Sequence, residues 1–195
     1  MKKRLLTSPV SLLLAITIVL AGNFAFAADD EKKLEATREF AGINFGVGLT
    51  LTIDVGVHDR VENAEVVNGV VRVTEEYNDI PRIMLETHYF FLPKHYFLGM
   101  DSVKPNEWGI GPFVGIQNGS NEIIEAIGGG VMLGFRRSEM TKDSFNIGVG
   151  FVVDPSAKVL GDGIEENKPL PAGETQVRYK KTSQGGILLI TSYAF

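Results

Sequence analysis

Residues 43–55, INFGVGLTLTIDV, constrain the fold more than any other stretch of the chain. Ile43, Phe45, Val47, Leu49, Leu51, Ile53 and Val55 alternate with Asn44, Gly46, Gly48, Thr50, Thr52 and Asp54. A period of two requires an extended strand with one bulky apolar face and one face of small or polar groups. The medium that meets each face then decides between a soluble fold and a membrane one.

The same alternation recurs along most of the chain. Residues 82–91 set Ile83, Leu85, Thr87, Tyr89 and Phe91 against Arg82, Met84, Glu86, His88 and Phe90. Residues 107–117 set Trp108, Ile110, Pro112, Val114 and Ile116 against Glu107, Gly109, Gly111, Phe113, Gly115 and Gln117. In 122–136 the pattern sharpens toward Val131, Leu133 and Phe135, opposed to Gly130, Met132, Gly134 and Arg136. Residues 144–154 alternate again, and the chain closes with Ile187, Leu189, Thr191, Tyr193 and Phe195 at two-residue spacing. Asn68-Gly69 between paired valines is a two-residue hairpin signal. Helical periodicity is absent from this region, so the expected fold is all-β.

Charge placement gives the faces a direction. A soluble sheet wets its non-apolar face with Lys, Glu, Arg and Asp. In 43–55, 107–117 and 144–154 the only charges are Asp54, Glu107 and Asp154, each at or beside a strand end. Glycine, threonine and asparagine suit a narrow interior, which turns the large side chains outward toward lipid. From Ile43 to Val55 the strand spans about 40 Å at ~3.3 Å per residue. Tilted by roughly 45°, it rises about 28 Å, close to the apolar band of an outer-membrane barrel.

The reading is therefore a single antiparallel up-and-down transmembrane β-barrel over 41–195. Counting both arms of the Asn68-Gly69 hairpin gives eight strands; omitting them leaves six, below the usual minimum. With the first strand rising from the periplasm, Tyr89, Phe91, Trp108, Phe135, Phe145 and Phe195 all fall at the periplasmic rim, where aromatic girdles belong. Pro112 cannot donate to a ladder, and a bulge is one way to accommodate it.

The first 27 residues read as a cleaved signal peptide, with Lys2, Lys3 and Arg4, the apolar run Val10–Leu20 and the small-x-small site Ala25-Phe26-Ala27. Residues 28–40 read as a short polar, solvated leader that a brief helix would also fit. The 19 basic residues less those first three leave 16 against 24 acidic ones, a formal charge of −8 for the mature chain. That balance argues against nucleic acid as a partner. The chain has no cysteine, which removes lipoprotein anchoring, disulfides and thiolate chemistry.

The signal peptide, the alternating strands and the terminal Phe195, with Tyr193, Thr191, Leu189 and Ile187 before it at two-residue spacing, resemble bacterial outer-membrane barrel proteins. The resemblance implies a Gram-negative outer membrane, contact with its lipid, and recognition of Tyr193 and Phe195 by the barrel-assembly machinery as a C-terminal signal. It supplies no activity, since fold alone does not carry function. Inside such a barrel Arg82, Glu86 and Arg136 are expected as a structural charge network that packs the lumen, because charges in a narrow interior must be paired.

No catalytic, metal or cofactor residue is indicated. Some barrels of this kind act on lipid A, among them a deacylase with a His–Ser pair. His88, however, is flanked by Thr87 and Tyr89, with Thr87 on the opposite face. Asp162, Glu165, Glu166 and Glu174 fit no defined calcium motif and read as a solvated loop. The leading expectation is a non-enzymatic, monomeric barrel of the cell outer membrane with a structural or surface-interaction role, the 155–185 hairpin being its exposed element. Two alternatives are a small barrel enzyme on envelope lipid and a soluble periplasmic barrel that turns its large residues inward around an apolar ligand.

Overall fold

The computed structural model describes residues 30–55, 60–76, 81–119 and 124–195. The expected signal peptide and His58 lie outside them. The described chain runs α1 (Asp30–Phe40), β1 (Ile43–Asp54), β2 (Val61–Val67), β3 (Val70–Glu76), β4 (Pro81–Tyr89), β5 (Trp108–Gln117), β6 (Ala126–Arg136), β7 (Ser144–Leu160) and β8 (Tyr179–Ala194). It is an antiparallel β structure, as the alternation requires.

Six strands close into a ring in the order β1-β4-β5-β6-β7-β8. β1 makes the closure: Val47 lies opposite Leu85 of β4 on one side and Tyr193 of β8 on the other. The expected eight-stranded ring is thereby corrected. Eight strands are present among the described residues, but β2 and β3 form a separate two-stranded sheet. The reason lies in their side chains. Glu62 shares a face of β2 with Ala64 and Val66, and Glu65 shares the other with Val61 and Val67. Neither face is apolar enough to join the wall. β4 pairs directly with β1 instead, from Tyr89 opposite Ile43 to Pro81 opposite Leu51.

The hairpin turn itself forms as its sequence requires, with Asn68 and Gly69 both at positive φ. The pair docks at one end of the ring, against a continuation of β7 and β8. Those strands stay paired beyond an irregularity at Pro155-Ser156, out to Leu160 opposite Tyr179. The long loop follows Leu160 and runs to Tyr179, within the 155–185 hairpin. Tyr179 fastens the hairpin to this ribbon, its hydroxyl accepting from the Ala64 N–H at 2.8 Å and donating to the Ala64 carbonyl at 3.1 Å. Val71 exchanges backbone hydrogen bonds with Asn167 and Lys168 of the long loop.

Pro112 sits in β5 without a bulge. His88 opposite Phe113 and Phe91 opposite Ile110 keep one register on either side of it. Between them the ladder simply lacks a rung, because Pro112 brings no N–H. Gly111 beside it lies so close to the Tyr89 carbonyl that a Cβ would overlap the oxygen.

The faces point as the charge pattern indicates. Phe45 is 67% and Phe151 73% exposed on the outer wall, with Ile43, Leu85, Val114, Val131 and Val149 also exposed there. Thr50 and Thr52 are buried inside, with Gln117, Asn146 and Ser192. The interior also holds Met84, Phe90, Phe113, Met132, Leu188 and Ile190. These large side chains lie over the inward glycines: Phe90 over Gly134, Met84 over Gly115, Ile190 and Phe113 over Gly148. The glycines give up their Cβ volume so that a narrow ring can be filled.

Candidate functional site: a layered, sealed lumen

β4, with Phe90 just beyond its end, lines the interior from one end to the other, turning Arg82, Met84, Glu86, His88 and Phe90 inward in that order through successive layers, with Glu86 and His88 sharing one.

At the hairpin end a charge cluster closes the ring. The Arg60 Nε donates to Asp54 Oδ2 at 3.0 Å, and its guanidinium also pairs with Asp154 and reaches Glu125 at 3.5 Å. Arg82 pairs with the same Glu125. Burial works against the charge on Arg60, but the hydrogen bonds to Asp54 and Asp154 outweigh it and hold its pKa above the usual value. Next to this cluster lies a neutral polar layer. Gln117 Nε2 donates to Thr50 Oγ1 at 2.8 Å and Thr52 Oγ1 at 3.2 Å, and the Thr50 hydroxyl donates to the Arg82 carbonyl at 3.0 Å.

The middle is apolar, built from Met84, Phe113, Met132, Leu188 and Ile190. Beyond it sits a second, smaller polar group. Glu86 Oε2 meets His88 Nδ1 at 2.8 Å, and Ser192 Oγ donates to Glu86 Oε1 at 2.8 Å. Asn146 Nδ2 donates in turn to Ser192 Oγ at 3.2 Å. The Glu86 and His88 side chains are completely buried.

α1 closes the far end. Phe40 is buried against Phe90, ring centroids 5.3 Å apart, and Phe90 in turn lies 4.3 Å from the His88 ring. The Arg136 guanidinium stacks on Phe40 at 4.9 Å. It donates to the carbonyls of Asn106, Glu139 and Thr141 and to Thr37 Oγ1. Lys33 of α1 pairs with Glu139. The leader expected to be solvated is therefore half a plug. Its polar face is wet, while Ala36 and Phe40 are buried.

Arg82, Glu86 and Arg136 do not form one network. All three point inward, but Arg82 belongs to the hairpin-end cluster, Glu86 to the buried pair with His88, and Arg136 to the helix-end plug. Tyr193 is half exposed on the outer wall opposite Val47 and Phe145, and Phe195 is 67% exposed at the same rim. Tyr89, Phe91, Trp108, Phe135 and Phe145 gather at that rim too, tied by the pairings Ile43 to Tyr89, Phe91 to Ile110, Trp108 to Phe135 and Phe135 to Phe145.

Sequence reasoning missed Arg60, Glu125, Asn146 and Ser192 as lumen partners. The Glu86-His88 pairing was available from their i, i+2 spacing on one face. The contribution of Ser192 was not, since it arrives from another strand. Chemically the buried group is a poor nucleophile arrangement. Glu86 stands between Ser192 and His88, holding one with each oxygen, so the serine hydroxyl faces a carboxylate rather than the imidazole. Among the described residues no group of three or more His, Cys, Asp or Glu is placed to hold a metal ion.

No protein-family model matches the chain, and neither a curated protein nor a solved structure matches it.

Proposed function

We propose that the chain is a non-enzymatic barrel of the bacterial outer membrane, with a structural or surface-interaction role. The observation that carries this reading is the inversion of the ring. Ion pairs and hydroxyls sit inside it, while Phe45, Phe151 and their neighbours cover its outside. Water would not reward that arrangement; lipid does. The outer apolar run of most strands is about nine residues, such as Phe145–Val153, which suits a transmembrane strand of roughly 9–11 residues tilted by about 45°. Six strands are fewer than such barrels usually have, and the lumen is correspondingly full.

The helix end, with its aromatic rim, faces the periplasm, and the β2–β3 hairpin with the β7–β8 ribbon projects from the other leaflet. Tyr193 and Phe195 serve the assembly machinery during insertion, and a signal peptide over residues 1–27 exports the chain. Its lasting partner is lipid, with no nucleic acid, and the folded unit is a monomer. Among the described residues the apolar middle layer and the α1 plug fill the lumen, which favours a structural role over conduction.

The two alternatives fare worse on particular residues. A soluble carrier needs the large side chains inward, but Ile43, Phe45 and Phe151 point out. An enzyme on envelope lipid needs His88 reachable from the wall, but it is buried under Phe90. Gel electrophoresis with and without boiling tests the reading. A folded barrel in mild detergent runs as a compact species and shifts on heating; a band that runs alike in both lanes counts against it. Lipid A from cells carrying His88→Ala should be unchanged, and altered lipid A would revive the enzyme.

A further inference from the structure

The segment between β4 and β5 does not hang below the ring. Phe97 packs edge-on against Trp108 and against Phe135, with ring centroids 5.0 Å apart in each case. Trp108 and Phe135 are outward residues of β5 and β6, sharing their faces with Ile110 and Val131. The segment therefore folds back against the outside of the wall, which is why Trp108 is buried although it points away from the lumen. The His95 carbonyl accepts from Trp108 Nε1 at 3.0 Å and fixes the contact.

The backbone of this segment satisfies itself. Phe97 N–H donates to the Val103 carbonyl at 3.2 Å, Met100 N–H to Phe97 at 2.9 Å, and Val103 N–H to Met100 at 3.3 Å. Two successive residues, Leu98 and Gly99, take left-handed conformations, with φ of 50° and 74°. For leucine that region is disfavoured. Beyond the Phe97 contact, the strained turn holds Leu98 81% exposed, between Tyr96 at 44% and Met100 at 45%. The shape is preformed, and Tyr96, Leu98 and Met100 on it are left exposed, with Asp101 exposed beside them. Lys94 and Lys104 are exposed on either side of it.

Resting on the barrel reading above, we propose that residues 94–104 form a foot that beds Tyr96, Leu98 and Met100 at the headgroup–acyl boundary of the leaflet at the helix end. Lipid is the occupant because the foot stands on the outer wall itself, continuous with exposed Phe91 and Ile110. A side chain mounted there meets whatever medium the wall meets, at its edge. The flanking lysines lie where lipid phosphates are found, and aromatic and aliphatic groups at such a boundary fix depth. The foot thus sets how deep the ring sits.

The chain has no cysteine, so full-length Leu98→Cys, Val149→Cys and Val67→Cys variants each accept one nitroxide label. In phosphatidylethanolamine–phosphatidylglycerol vesicles, collisions with oxygen report hydrocarbon and collisions with a nickel chelate report water. The Val149→Cys label should be open to oxygen and shielded from nickel, and the label at the Val67→Cys hairpin site the reverse. The Leu98→Cys label should favour oxygen over nickel at a shallower depth than position 149. If position 149 behaves so while position 98 is as open to nickel as position 67, the foot is overturned and the barrel reading stands. Nickel access at all three overturns both. Shielding of position 98 from both reagents means that protein covers it, which also overturns the foot.

Discussion

Glu86 shows what a single inward side chain must do in so narrow a ring. Its two oxygens hold His88 and Ser192, and none of the three has water to turn to. Glu86→Ala should therefore cost about 1–3 kcal/mol for each of the two buried groups it leaves without an acceptor. Glu86→Gln, which keeps one acceptor and the volume, should cost less; urea unfolding in detergent micelles checks the order. The residue at the plug with a clear pH response is Glu139. Its hydrogen bond from Lys33 holds its carboxyl below the usual range, against a smaller opposing effect of burial. A lowered pKa in the folded state means that the contact contributes fully above the unfolded value of about 4.3 and is lost as pH falls through the folded one. Protection of α1 against hydrogen exchange should fall in that acid window, and Glu139→Gln should flatten the response.

Among the elements, what could be read in the sequence and what could not divide along a physical line. Side-chain parity is local, so INFGVGLTLTIDV specifies its own two faces, and Asn68-Gly69 specifies its own turn. Pairing partners and tilt are not local. Ser192 and Asn146 share the inward parity of their strands, but only the ring's closure brings them to Glu86. The strand number differs for another reason. Glu62 and Glu65 on opposite faces of β2 mark the hairpin as unfit for the wall, whereas the usual minimum of eight strands favours counting its arms. The leader's charges are real and wet, while Phe40 at its end is what docks. Because the hairpin is held from outside, it should loosen without harm to the ring. Tyr179→Phe removes both hydrogen bonds to Ala64 and should weaken hairpin docking by about 1–2 kcal/mol. Amide exchange should then quicken in 61–76 and stay slow in β1 and β4–β8; equal acceleration everywhere would make the hairpin part of the ring's own stability.

At the scale of the molecule, the described residues form a filled ring with an apolar outer wall, closed by a charge cluster at one end and by α1 at the other. Such a body should carry no current. In planar bilayers the intact chain should show no steady conductance, and deleting residues 28–40 should leave the apolar layer of Met84, Phe113, Met132, Leu188 and Ile190 still blocking the path. Steady channels from the intact chain would mean that the layers open. The central claim is that the outer wall meets lipid, and an alkaline carbonate wash of cell envelopes tests it most directly. The protein should stay in the outer-membrane pellet, as an integral barrel does. Its release into the soluble fraction would mean that Phe45, Phe151 and their neighbours face something other than a bilayer.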